Sequence, residues 1–509
     1  MADDQHGVAD SPTSVDHAVS GSGPNRGPRR WHVPPQAARL VHDARLLGPA
    51  YLIPGLASFA TIPALFAALG PAEYGRWAIL YGIAAGVPQV TTSWLEARLV
   101  RFSYLEPGRW DRGRSALAAG GSIVVSAPLA AIVLPAVTLP EVVAAAVLTA
   151  AVSRYLLMVA RLQSAMHFAA VSVAASTRSM LGAGLGILFG AITGVAALAI
   201  GGLGTGYLVG ELAGSLWARR SRRSAGSAPV PVGAPATAET ADAVAAAHTA
   251  PGVVRDASRA AYEVASGVNA VAQYELQVGD RFIMSATRPL SDVGVYTATY
   301  ALVDLAGRFM PAIVLGVVRP RVYRAWDADR PDRAFGLVVA LAAVLGWLVA
   351  ASVTVLVTLS LVIPRLPVEP GLAGPIGLGF ACFVAAGTLG LVYSAATRQG
   401  RLAIHSTIAA LVNIGLNVAL IPGLGPLGAA LATAVSYAVL LVAQVGGLRD
   451  LPFDRATVAT LGSGVLALAC LSIPGSLLAT PGSVALATLA CVGGLVGVIR
   501  LGRTALREG

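Results

Sequence analysis

Two stretches, GPAEYGRWAILYG at 70–82 and LSDVGVYTATYAL at 290–302, carry the same pattern 219 residues apart. Each places an acid (Glu73, Asp292) two positions before a glycine (Gly75, Gly294) and an aromatic (Trp77, Tyr296) two positions after it. Each sits at the turn between two long apolar runs. The second run of each pair then ends on arginines, Arg98 and Arg101 in one case, Arg319 and Arg321 in the other. A repeat of this length in an apolar chain is the signature of an internally duplicated helical membrane protein, with a substrate path between the repeats.

The composition agrees. The chain has 509 residues, 55% hydrophobic and 12% charged, with a mean hydropathy of +0.70. A soluble protein of this size needs far more polar surface. The apolar content is mostly Ala, Leu and Val, and small residues suit close helix packing in lipid.

Outward from the repeats, runs long enough to span a bilayer are expected at 47–69, 77–97, 115–137, 141–160, 170–191, 195–217, 259–284, 295–318, 336–363, 373–396, 402–422, 425–447, 456–474 and 482–500. Gly-rich turns (AITG at 191–194, IPGLGPLG at 421–428) divide the two pairs that are hardest to split. Residues 1–35 form a polar tail without a signal-peptide core, and 36–46 an amphipathic segment at the membrane surface. The stretch 218–258 opens with RRSRR and runs on in Ala, Pro and Thr, a flexible linker between the first six spans and the next six. The expected division is a tail at 1–46, a first six-helix unit at 47–217, the linker, a second unit at 259–447, and two more helices within 448–509. The class is an all-α integral membrane protein of about fourteen helices.

All 36 basic residues are Arg. With the N-terminal side called inner, 29 fall in the inner loops and tails, four near the outer loops (Arg76, Arg281, Arg288, Arg365) and three within spans (Arg154, Arg178, Arg308). This asymmetry is the positive-inside pattern. It places both termini in the cytoplasm and makes the helix count even. The net charge of +10 is thus topological, and no nucleic-acid partner is needed to explain it. Cys382, Cys470 and Cys491 lie in apolar runs without metal or disulfide spacing, as small buried hydrophobes. A chain without Lys holds no phosphate-binding GKS/GKT loop. No nucleophile elbow or zinc signature occurs either, so the reading is of a non-enzyme without cofactor or metal, driven by an ion, potential or substrate gradient.

Ionisable and amide groups inside spans are costly and mark function by default. In the eighth span Tyr296, Tyr300, Asp304 and Arg308 recur every four residues on one face, followed by Pro311. In the seventh, Glu263, Ser266, Asn269, Gln273, Gln277 and Asp280 form a polar stripe that lipid would not tolerate. It faces either a cavity, where amides suit sugar hydroxyls, or a neighbouring helix. Asp280 and Arg281 lie near the outer interface, where snorkelling weakens the signal. Arg154, Arg178 and Arg308 offer bidentate geometry for a phosphate group; alternatively Arg178 and Glu211 neutralise each other. Asn413 and Asn417 share a face, for sugar or for packing. Asp304, Glu263 and Glu275 are the ion-coupling candidates. Gly182, Gly186 and Gly190 have the spacing of a close helix contact.

The six-plus-six-plus-two arrangement, with GDRFIMSATRPLSDVGVYTATYAL (279–302) and LVNIGLNVALIPGLGPLGAALATAVSY (411–437), resembles the polysaccharide flippases of the multidrug/oligosaccharidyl-lipid/polysaccharide (MOP) exporter superfamily. The resemblance implies two six-helix lobes around a central cavity that opens to either side in turn. It implies transfer of polyprenyl-pyrophosphate-linked oligosaccharide across the cytoplasmic membrane for cell-surface polysaccharide biosynthesis. Its partners would be that lipid, the membrane and a polysaccharide polymerase. Three other readings stand beside it: a multidrug or metabolite cation antiporter of the same superfamily, a peptidoglycan lipid-precursor flippase, and a non-transporting scaffold.

Overall fold

The structure is a computed structural model, and it describes residues 35–102, 112–134, 137–165, 167–224, 256–305, 331–363, 365–396 and 398–448, with Val322 and Trp326. Eleven helices are described: α1 (Pro35–Phe102), α2 (Arg112–Val133), α3 (Leu139–Ser164), α4 (Phe168–Thr193), α5 (Ala196–Ser224), α6 (Asp256–Thr287), α7 (290–305), α8 (Pro331–Val362), α9 (Pro370–Ala395), α10 (Gln399–Leu424) and α11 (Pro426–Gly446). Helix α1 covers the first two expected spans, because its two limbs meet at one non-helical residue, Gly70 (φ 74°, ψ 166°). Only glycine adopts that conformation readily, and Pro71 starts the second limb. The thirteenth and fourteenth expected spans, most of the linker, the tail before residue 35, Arg308, Pro311, Arg319 and Arg321 lie outside the described residues.

Among the described residues, eight helical stretches are long and apolar enough to cross a membrane, including Tyr51–Glu96, Phe168–Thr193 and Pro370–Ala395. Helix α6 is not among them, for a physical reason: its polar stripe lowers its mean hydropathy, as expected of a helix with one face on a cavity.

Helices α1–α5 pack on one another, and so do α6 and α8–α11; α1 and α2 touch α6 across the divide. In the first group α4 and α5 meet along glycines. A Cβ on Gly206 would lie 2.6 Å from the Gly182 nitrogen, and one on Gly202 2.6 Å from the Gly186 nitrogen. This backbone-to-backbone approach is the close packing that the Gly182–Gly186–Gly190 spacing predicts.

The two repeat motifs touch each other. A Cβ on Gly75 would sit 2.9 Å from the Gly294 nitrogen, and one on Gly294 would sit 3.2 Å from the Gly75 nitrogen. The equivalent glycines therefore face each other where the two groups join, as residues beside a pseudo-two-fold axis must. The apolar core runs unbroken across this junction through Tyr74, Met284, Val293 and Tyr296. A separate core, with Leu276, Phe335, Cys382 and Leu440, lies within the second group. Three positive-φ glycines among the described residues, Gly70, Gly194 and Gly425, turn the chain at the same end of the bundle as this junction. We call it the Gly70 end.

Candidate functional site

Between the two groups lies a cavity of about 960 Å³. It is walled by both limbs of α1, the middle of α3, α4 and α5, and by α6 and α7. The Gly70 end is shut by the glycine contact and by Tyr274, whose hydroxyl donates to the Gly82 carbonyl (3.3 Å) and whose ring covers Gly86. The lining extends toward the opposite end as far as Glu96, Gln163 and Val171.

Arg178 lies in the α4 wall. Its Nη1 donates to the Tyr207 hydroxyl (2.9 Å) and its Nη2 to the Ser179 hydroxyl (3.0 Å). Its guanidinium carbon stands 4.8 Å from the Tyr207 ring centre and 5.3 Å from that of Tyr155. Two cation–π contacts hold a charge without neutralising it. Among the described residues no carboxylate reaches Arg178 within ion-pair distance, and its Nε is buried with no hydrogen-bond partner. Glu211, the alternative partner, takes Arg154 instead, at 3.1 Å from Nε and 3.0 Å from Nη2. That corrects the Arg178–Glu211 pairing. It also removes Arg154 from the cavity: its side chain is 64% exposed on the outside of the α3–α5 contact and is absent from the lining. On adjacent helices, spacing along the chain does not fix which way two charges point.

On the opposite wall the polar stripe of α6 divides by face. Asn269, Gln273 and Gln277 line the cavity. Two of them also tie α6 to α10, because Gln273 donates to Ser406 (3.0 Å) and Ser406 donates to Asn269 (2.8 Å). The same side chains therefore border the cavity and bond a neighbouring helix. Glu263 and Glu275 do not line the cavity; the Glu275 oxygens are buried without a hydrogen-bond partner. On α7, Tyr300 and Asp304 line the cavity and Tyr296 does not. Tyr296 instead donates to Asp280, a carboxylate that also accepts the Arg281 backbone N–H (2.7 Å). Asn413 and Asn417 are fully buried between α10 and α11. Asn417 donates to Asn413 (2.6 Å) and Asn413 to Ser436 (3.3 Å). They belong to helix packing and not to the cavity. Thr433 also donates to Asp280 (3.5 Å), and among the described residues no cluster of His, Cys, Asp and Glu has metal-binding form.

Two features escaped the sequence reading. Arg281 is buried, not snorkelling. It lines the cavity with its guanidinium 4.5 Å from the Tyr300 ring centre, and its Nη1 donates to the Gln277 carbonyl (3.0 Å). The second is the aromatic wall. Tyr51, Tyr74, Trp77 and Tyr81 of α1, Tyr155, Tyr207 and Tyr274 all face the cavity. The i,i+3/i+4 spacing of Tyr74, Trp77 and Tyr81 was the available signal.

No protein-family model and no curated protein sequence matches the chain. Among solved structures it is similar to the lipid II flippase MurJ in an inward closed conformation, at 14% identity over 92% of this chain and 99% of that one, with a TM-score of 0.58. Lesser likenesses are to a MATE transporter in a bent conformation (11% identity, 84% and 97% covered, TM-score 0.48) and to the eukaryotic MATE transporter AtDTX14 (12%, 85% and 98%, TM-score 0.46). Scores below 0.5 do not establish a shared fold, and 14% identity speaks to the fold alone. Over its described residues the chain is therefore all-helical, a protein with membrane-spanning helices, similar in fold to the lipid II flippase.

Proposed function

We propose that this protein is a flippase that carries polyprenyl-pyrophosphate-linked saccharide across the cytoplasmic membrane by alternating access. The observation that carries the reading is Arg178. It is a half-buried cation on the cavity wall, between two tyrosines, its Nε fully buried without a hydrogen-bond partner. Among the described residues no carboxylate lies within ion-pair distance of it. Burying an unpaired charge is expensive, so the arrangement makes sense when a ligand supplies the anion. A pyrophosphate does so with bidentate geometry. Arg281, across the cavity, supplies a second guanidinium. The amides of Asn269, Gln273 and Gln277 offer donors and acceptors to sugar hydroxyls. A cavity of about 960 Å³ is at the upper end of the roughly 300–1,000 Å³ of small-molecule sites, large enough for a glycosylated head group while the polyprenyl tail stays in lipid.

A cation antiporter would need an acidic cavity. The lining instead balances two arginines, Arg178 and Arg281, against two acids, Glu96 and Asp304. What favours an anion is that, among the described residues, no carboxylate lies within ion-pair distance of Arg178.

In this reading both termini are cytoplasmic, the units at 47–217 and 259–447 are the rocking lobes, and the Gly70 end is the outer gate, closed here. The two C-terminal helices and a downstream polysaccharide polymerase complete the expected setting. A peptidoglycan precursor shares the pyrophosphate-sugar chemistry, so the test includes it. In proteoliposomes holding undecaprenyl-pyrophosphate lipids with O-antigen-type or peptidoglycan-type saccharide, the protein moves at least one of them across the bilayer, and Arg178→Gln abolishes this. Export of ethidium with no movement of either lipid would establish the antiporter instead.

A further inference from the structure

Seven of the protein's thirteen tyrosines line the cavity, and among the described residues none of its eleven phenylalanines does. A pocket for an apolar drug has no reason to choose phenol over phenyl. A pocket for a polyhydroxylated ring does, since tyrosine gives a stacking face and a hydroxyl in one side chain. The choice is sharpest on the second limb of α1. There the Trp77 and Tyr81 rings lie parallel, 4° apart in plane with centroids at 5.2 Å, and Tyr74 leans on Trp77 at 5.1 Å. Tyr81 is partly open to the cavity. Trp77 is 7% exposed and Tyr74 fully buried, yet the Trp77 Nε1 and the Tyr74 hydroxyl have no hydrogen-bond partner. A buried donor left unmade is costly. Both residues face the cavity, so a small rotamer adjustment brings these donors to a hydroxyl-bearing occupant.

We propose that the Tyr74–Trp77–Tyr81 ladder is the saccharide subsite of the cavity, where a pyranose ring stacks on the open face of Tyr81, which Trp77 and Tyr74 hold from behind, and its hydroxyls engage the two unpartnered donors. The assignment rests on the flippase reading and adds an orientation to it. Trp77 lies six residues into its limb from Pro71, and Arg178 fifteen residues before Thr193. At 1.5 Å per residue these place them about 9 Å and about 22 Å from the Gly70 end. The Trp77 backbone is thus about 13 Å nearer the closed end than the Arg178 backbone. The far rung of the ladder reaches the arginine's surroundings, since the Tyr81 hydroxyl is hydrogen-bonded to Tyr207, which accepts from Arg178 Nη1 at 2.9 Å. The sugar sits toward the closed end with the pyrophosphate next to it on the open side. The saccharide enters first and the lipid anchor trails.

The test measures binding in nanodiscs to four lipids: undecaprenyl pyrophosphate, and the same carrier bearing glucose, galactose or N-acetylglucosamine. For the sugar that the wild type binds best, Trp77→Leu and Tyr81→Leu weaken binding by about tenfold, the loss of one favourable aromatic contact. They change binding of the bare pyrophosphate lipid by less than about twofold, and Trp77→Phe retains most of the sugar affinity. Arg178→Gln weakens all four lipids alike. Should Trp77→Leu not fold, Tyr81→Leu carries the test, because its ring is only partly buried. Equal losses on sugar-bearing and bare lipid, or none, would overturn the subsite. With Arg178→Gln still weakening all four, that result would leave the flippase reading standing. A wild type that binds none of the lipids would overturn both.

Discussion

Putting a methyl group on either of the facing glycines, Gly75→Ala or Gly294→Ala, should force the Gly70 end open. The atoms in the way are all backbone. A Cβ on Gly75 would stand 2.9 Å from the Gly294 nitrogen and 3.2 Å from the Leu290 carbonyl carbon, and one on Gly294 would stand 2.8 Å from the Pro71 carbonyl carbon. Ordinary carbon contacts need about 3.5–4.0 Å, so the two groups must part by about 1 Å, with no side chain able to rotate away. Overpacking of this kind costs about 1–3 kcal/mol. That cost falls on the closed arrangement alone, so the equilibrium moves toward the parted one by about 5- to 150-fold. The reporter is Ala301→Cys, which faces the cavity, in a background with Cys382, Cys470 and Cys491 changed to Ser. A membrane-impermeant maleimide added at the Gly70 face should label it at least about fivefold faster in Gly294→Ala, and from the opposite face more slowly. Unchanged labelling from both faces in a folded variant would refute the reasoning. So would an equal rise from both, which would mean general loosening.

Other outcomes follow from the same geometry. Arg178→Gln should end lipid transfer while leaving thermal stability unchanged or raised, since it removes a half-buried charge that no carboxylate among the described residues neutralises; a lower melting temperature would show that the charge is structural. Arg154→Ala should leave transfer within about twofold of wild type, because its pair with Glu211 is exposed outside the cavity and exposed pairs contribute about 0–1 kcal/mol. Arg76→Ala should destabilise by about 3 kcal/mol in denaturant unfolding: Glu141, only 7% exposed, would lose its cation at 3.2 Å, and adding Glu141→Gln should recover much of the loss. Asn413→Ala should cost about 1–3 kcal/mol of stability with lipid affinity unchanged, its partners being Ser436 and Asn417.

What the sequence made legible was periodic. The glycine-centred repeat located the two equivalent turns, and the structure brings Gly75 and Gly294 together. The polar steps along α6 marked a face that cannot meet lipid, and Asn269, Gln273 and Gln277 lie on the cavity. What was not legible depends on how helices are rotated against each other. Arg154 and Arg178 look alike as lone arginines in apolar runs, yet one points outward to Glu211 and the other inward between tyrosines. Asp280 and Arg281 were discounted for lying near a helix end. The bundle covers that end, since α7 and α11 pack Tyr296 and Thr433 onto Asp280. The aromatic wall was legible only in part: α1 supplies Tyr74, Trp77 and Tyr81 from one stretch at helical spacing, whereas Tyr155, Tyr207 and Tyr274 come one each from three other helices.

Native mass spectrometry of the protein ejected from membrane nanodiscs reads the cavity's occupant directly. Wild type should carry an adduct with the mass of a polyprenyl pyrophosphate bearing sugar, and Arg178→Gln, folded and equally abundant, should lose it. An adduct retained in full by Arg178→Gln, or a small organic cation in place of the lipid, would contradict the cavity's assignment to an anionic saccharide lipid.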